Sequence, residues 1–187
     1  MKIRILKRIA LVISLAFLLL CGATLALMFQ KTEPIQNKFE PAYVDCLVHE
    51  TTNSNTTTDV DTKSSITVEN TGNIHAYLRV RLVSYWVDKD GNIGPIPSEM
   101  PAIAINDANW IAGSGYTYYH KTEVASLHNS QELLKNPISL GTKTVSGTTY
   151  YQVVEVFAEA IQSKPPKAVT DSWKVTVNDD GVITAAN

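Results

Sequence analysis

From Ile9 to Phe29 the chain carries twenty-one consecutive uncharged residues, mostly Ile, Leu, Val, Ala and Phe. One helix of that length is just long enough to cross a bilayer core. It has no polar face, so it lacks the one-sided pattern of a helix packed on a soluble core. The four charges ahead of it, Lys2, Arg4, Lys7 and Arg8, are all basic, and no acidic residue occurs before Glu33. A basic run leading into an apolar run is the pattern of an export signal. Thr24 and Ala26 supply small side chains for a candidate signal-peptidase cut after Ala26. In the alternative, residues 9–29 are retained as a membrane anchor. A lipidated Cys21 is a weaker reading, because the residue before it, Leu20, is large. Residues 1–29 are therefore read as a signal peptide or membrane anchor.

Beyond this leader the period changes. Residues 30–41 read as an exposed linker, since Pro34 and Pro41 oppose a long helix. Over Ala42–Glu50 the side chains alternate in part, with Val44, Cys46 and Val48 expected on the core side. Residues 51–63 are almost entirely polar and predict a long surface loop. A strand over Ser64–Glu69 presents Ile66 and Val68 together and ends at Asn70-Thr71-Gly72-Asn73, where a positive φ is expected at Gly72. The clearest strand runs from Ala76 to Asp88. Its period of two sets Leu78, Val80, Leu82, Ser84 and Trp86 toward a core, with Tyr77, Arg79, Arg81, Val83 and Tyr85 on a half-solvated face. Such length predicts a bulge near Ser84 or a handover between sheets.

Residues 93–112 contain Pro95, Pro97 and Pro101 and read as a connection that carries an apolar segment, Ile103–Ile105, and an anchoring Trp110. A strand follows over Tyr116–Val124. Ser130–Lys135 has the composition of a capped helical turn, with Ser130 as cap. The second strong strand, Tyr150–Ile161, is long, apolar and free of proline, which predicts a central place in its sheet. Pro165-Pro166 ends it, and Trp173–Val177 reads as a last short strand. At least five strands, polar turns and little helix predict a mostly β fold over residues 42–187, a two-layer, jelly-roll-like β-sandwich.

Charge and chemistry narrow the function. Cleavage after Ala26 removes four of sixteen basic residues and no acidic one, leaving a formal charge of minus six. Only Arg79 and Arg81 lie close together, so no basic patch points to nucleic acid. Cys46 is the one cysteine after the leader, so no internal disulfide can form. The histidines, His49, His75, His120 and His128, include no His-Glu-x-x-His pair. Asp88-Lys89-Asp90-Gly91-Asn92 spaces oxygen ligands as calcium loops do, but its glycine falls fourth and it reads as a turn. Asp59 and Asp61 read as solvated loop carboxylates. Gly113-Ser114-Gly115 is too short for a nucleophile elbow, and Glu155 and Glu159 share one solvated strand face. Catalytic, cofactor and metal residues are therefore assigned to none. Tyr116, Tyr118, Tyr119, Tyr150 and Tyr151 form either cross-strand stacks or an exposed ladder for a glycan or a neighbouring subunit.

Several stretches resemble one known group. Cys21-Gly22-Ala23-Thr24-Leu25-Ala26 and Asn37-Lys38-Phe39 are followed by Val68-Glu69-Asn70-Thr71-Gly72-Asn73 and Ala76-Tyr77-Leu78-Arg79-Val80-Arg81. Trp110, Gly115-Tyr116-Thr117-Tyr118-Tyr119 and Glu159-Ala160-Ile161-Gln162 complete the ordered set. This set is similar to the exported TasA/camelysin-like proteins with SipW-type signal peptides. The resemblance implies a jelly-roll sandwich, export, processing by a dedicated signal peptidase, and self-assembly by strand addition into matrix fibres, with residues 27–41 as the donor. Some camelysin-like members are classed as metalloproteases; without a zinc motif that label is not carried over. The expectation is a non-enzymatic cell-surface or biofilm-matrix structural protein of Gram-positive type, whose partners are signal peptidase, copies of itself, and matrix or cell-wall components. A glycan- or peptide-binding module is the alternative.

Overall fold

The computed structural model describes residues 2–29, 40–53 and 61–186. The chain divides into two compact units, Met1–Glu40 and Pro41–Asn187. In the first, α1 (Lys2–Phe29) is one continuous helix. Its side chains at Leu11, Phe17 and Leu19 are exposed. Among the described residues no helix is long and apolar enough to cross a membrane.

The second unit is mostly β, in agreement with the alternation of its sequence. Its elements are β1 (Cys46–Asn53), β2 (Thr62–Asn70), β3 (Ala76–Val87), β4 (Trp110–Ala112), β5 (Thr117–His120), β6 (His128–Asn129), β7 (Ile138–Ser139), β8 (Thr142–Val145), β9 (Thr148–Gln162), α2 (Lys167–Trp173), β10 (Val175–Val177) and β11 (Ile183–Ala186). One sheet has the order β1-β2-β6, with β7 also on β2; a second has the order β4-β5-β3-β9-β8; β10 and β11 form a hairpin. Leu78, Val80, Leu82, Ser84 and Trp86 are all buried, as their spacing requires. The three aliphatics among them meet Ile66 and Val68 of β2, Trp110, Tyr118, Leu133, Ile138 and Val154 in one core. Side chains two apart on a strand share a face, so each sheet contributes one surface to that core.

Several local expectations are corrected. β3 pairs with β9 in an unbroken register from Ala76↔Gln162 to Val87↔Tyr151, so it has neither bulge nor handover. Its second face is not half solvated throughout: Tyr77 and Tyr119 are buried with Val169, Trp173, Val175 and Ile183 in a second core. The missed helix α2 and the β10-β11 hairpin cover that face. Trp173 therefore ends a helix, and Lys174 in the left-handed conformation (φ 56°) turns the chain into β10. The segment after β6 is not a helical turn. It runs beside β2, where Ser130 Oγ accepts from Val68 N–H at 3.0 Å and Glu132 Oε1 from Ile66 N–H at 2.5 Å. The main chain answers with Ser130 N–H to Val68 O and Leu133 N–H to Ile66 O. Side-chain oxygens thus stand in for strand acceptors along this edge.

Gly72 has no positive φ; close approach is what demands glycine there. A Cβ would lie 2.7 Å from Tyr43 O. Ala42–Asp45 is not strand, because the Tyr43 and Asp45 carbonyls accept the Asn73, Thr71 and Gly72 amides of that turn. β1 instead extends to Asn53 and β2 begins at Thr62, which shortens the polar loop; Asp59 lies outside the described residues.

Candidate interaction surface

β9 was expected in the middle of its sheet. It pairs with β3 along its length, but β8 reaches it only from Thr148 to Tyr151. The hairpin that joins β8 and β9 turns at Ser146 and Gly147, both at positive φ (51° and 83°), which suits a two-residue turn between twisted strands. Gln152 N–H donates to Gly141 O at 2.9 Å and is, among the described residues, the last main-chain bond on this side.

Alternation fixes what the rest of the edge presents. Ser163 N–H donates to His75 O, so odd residues of β9 direct their amides toward β3. Even residues, Val154, Val156, Ala158 and Ala160, direct theirs outward, where no strand pairs with them among the described residues. Their side chains face the core: Val154 is buried and the other three pack against it in part. The outward face of the same strand carries Tyr151, Glu155, Phe157 and Glu159, all exposed.

β1 lies against β9 yet, among the described residues, pairs only with β2. Asp45 O accepts from Thr71 N–H, so odd residues of β1 face β2, and the Val48 and Glu50 amides point to its free edge. Two unpaired edges therefore border one seam. Exposed apolar side chains occur on both sides, Tyr43, Val44 and Leu47 on one and Phe157 on the other. Cys46 stands near the seam, half-buried. Burial pushes its thiol up, and the charges of Asp45 and Glu159 add to this. A thiol held protonated is a poor nucleophile and a poor metal ligand.

Several charged groups around the seam are engaged. Arg79 donates to Glu159 at 2.6 Å from Nη2 and 3.1 Å from Nε, and its guanidinium lies 4.9 Å from the Trp173 ring centroid. Lys63 is almost fully buried, and its ammonium meets Glu50 at 2.6 Å. His49 meets Glu69 at 2.8 Å.

The other singled-out residues are dispersed. His75 meets Glu123 at 3.2 Å. His120 is buried between Thr122 O and Gln131, edge-on to Trp110 with centroids 5.1 Å apart. His128 bonds Ser126 O. Among the described residues no three His, Cys, Asp or Glu side chains converge as metal ligands do. Asp88 Oδ1 accepts the Asp90 and Asn92 amides, each at 2.9 Å. The Asn92 side chain first, then the Asn92 amide, hold the Asp88 carboxyl below its usual value; it braces its own turn. Gly113 backs onto Tyr119, and Gly113 N–H donates to Thr117 O in the β4-β5 turn. Tyr118 and Tyr119 are buried in opposite cores. β3 stands between β5 and β9, so the tyrosines of the two strands form no continuous ladder. Tyr116 and Tyr151 are exposed, and Tyr150 packs on Gly94.

Compared with known proteins, the chain gives no significant match to any family model, any curated protein or any solved structure.

Proposed function

We propose that this is an exported cell-surface or matrix structural protein, non-enzymatic, whose β unit is a jelly-roll-like sandwich that assembles by adding a strand to the β1/β9 seam. The observation that carries the reading is the outward row of amides on β9, which no strand among the described residues pairs, beside the outer edge of β1, whose other edge is held by β2. Long free edges are templates for pairing and are normally blunted by charge, proline or cover. Here the even positions are Val and Ala, with no proline from Thr148 to Gln162. β1 lies against part of this edge, so an extended segment added there gains main-chain bonds where β1 leaves the outward amides clear. The resemblance to TasA/camelysin-like proteins supports the same reading, with the stalk after Ala26 as donor. The basic-then-apolar leader supports export, with signal peptidase as the processing partner and residues 9–29 as the anchor where it is retained.

N-terminal sequencing and sedimentation of the protein recovered from cells and medium test this reading. Export with cleavage yields Leu27 as the first residue and a particle larger than one chain. A soluble cytoplasmic monomer that begins at Met1 overturns it.

A further inference from the structure

The seam between β1 and β9 is a wedge. At its narrow end Cys46 and Val48 are half-buried. Cys46 packs on the same core as Ala158 and Ala160, and burial, then Asp45, then Glu159 push its thiol up. From His49 to Asn53 every residue of β1 is exposed. Glu50 is among them, although it follows Cys46 and Val48 on the core-facing side. A register shift at Thr51/Thr52 bends the pair with β2 there. Where the two strands approach, their Cα atoms come within 8 Å. A strand lodged between them would hold them about 9.5 Å apart, twice the spacing of paired strands. At the narrow end no guest fits between them, and β1 stands one step from pairing with β9 itself.

Direction and parity suit that step. Cys46 faces Asn70 and Gln162 faces Ala76, and Asn70 and Ala76 share the Val124 carbonyl. β1 therefore starts where β9 finishes, and side by side the two run antiparallel. In such a pair the residues that exchange main-chain bonds face each other. Even-numbered amides point into the seam from both strands, so even must face even. Cys46 opposite Ala160, Val48 opposite Ala158 and Glu50 opposite Val156 meets this condition and keeps both core-facing sets on one side. A slip of two residues one way sets Asp45 against Glu159, like charges face to face. A slip the other way carries Glu159 to His49, away from the Cys46 that feels its charge.

We propose that β1 is a latch on the assembly edge: it closes on β9 in this one register, from Cys46 toward Asn53, and its closure excludes a guest strand. The inference rests on the assembly reading above for the guest alone. The structure holds the wedge open, so closure is the less populated state and the even-numbered amides of β9 stay labile in the single chain. A guest takes the wide end first and competes with β1 for the rest.

The test is disulfide trapping in the chain as cells release it, with Cys21→Ser and Cys46→Ala removing the native thiols and oxidised glutathione as oxidant. Phe157→Cys is combined in turn with Leu47→Cys, His49→Cys and Thr51→Cys, all at exposed positions. In the proposed register residue 49 faces 157 in a pair without mutual main-chain bonds, where side chains stand closest. The 49/157 bridge should form at least about tenfold faster than the other two, since a slip of two residues moves the partner roughly 7 Å, out of a bridge's reach. Intact mass reads the bridge within one chain. The bridged 49/157 chain should stay monomeric in sedimentation, and reduction should restore assembly. Equal rates at the three positions, or no bridge at any, overturn the latch. A bridged chain that assembles as well as its reduced form overturns the exclusion of the guest. If the reduced chain is monomeric too, the assembly reading falls and the bridging rates alone decide the latch.

Discussion

Replacing Ala158 by proline separates the free edge of β9 from its ladder. Ala158 faces Val80 across a pair whose amides do not bond to each other, whereas its neighbour Phe157 faces Arg81 across a bonded pair. A proline at 158 removes an amide that points outward, at a half-buried small side chain, so no ladder bond is lost. The ring's φ of about −65° strains an extended strand at either position, a cost the two prolines share, so they are expected to differ by the ladder bond. A proline at 157 removes the donor to Arg81 O and strands that acceptor inside the sheet, at a cost of about 1–3 kcal/mol. With roughly 2–4 °C per kcal/mol in a chain of this size, Phe157→Pro should melt several degrees below Phe157→Ala, which controls for the lost ring. Ala158→Pro should melt above Phe157→Pro and no longer assemble. Thermal melts by circular dichroism, paired with sedimentation, read both effects. Equal destabilisation at 157 and 158 refutes the parity on which the open edge rests, and assembly that persists in a folded Ala158→Pro refutes the use of that edge.

Other outcomes follow from the cores and turns. Trp173→Ala strips the lid of the second core from Tyr119 and Arg79 and should lose about 3–5 kcal/mol in urea unfolding. Glu132→Ala leaves Ile66 N–H and the Ser65 hydroxyl without their acceptor; a loss of about 1.5–3 kcal/mol is expected, and a neutral result shows that water replaces it. Gly72→Ala places a Cβ 2.7 Å from Tyr43 O, so its amides at the Asp45 end of β1 should exchange faster with solvent. The Ser163 hydroxyl holds the Glu123 carboxyl below its ordinary 4.5; partial burial opposes this, and His75 adds to the lowering. A depressed folded value means the contribution is present above pH 4.5 and is lost as pH falls through the folded value. Glu123→Gln should flatten the acid limb of the stability curve, and an unchanged limb assigns acid unfolding to other carboxylates.

Legibility in the sequence followed the physics of each segment. Leu78 through Trp86 could be read because burial on one face imposes a period of two, and Ile66 with Val68 likewise. Tyr77 and Tyr119 could not. Their face is buried by α2 and the β10-β11 hairpin, elements remote along the chain, and alternation alone does not say that a face will be covered twice. α2 left a faint signal: Pro165-Pro166 ahead of Val169 and Trp173 four residues apart, a helical start with one buried stripe. Ser130 and Glu132 misled because the oxygens that cap a helix also satisfy the amides of a neighbouring strand. Charge spacing correctly made a turn of Asp88–Asn92, where Asp88 is consumed by local bonds. The free edge of β9 was hidden for a topological reason. A long proline-free strand can pair on both sides, but how far β8 runs beside it depends on where the Ser146-Gly147 turn falls.

Hydrogen exchange along β9, before and after assembly, tests the central claim most directly. In the single chain the amides of Val154, Val156, Ala158 and Ala160 should exchange quickly while those of Val153, Glu155, Phe157 and Glu159 stay protected, and assembly should slow the first set. Even-numbered amides already slow in the single chain, or still fast in the assembled particle, would contradict it.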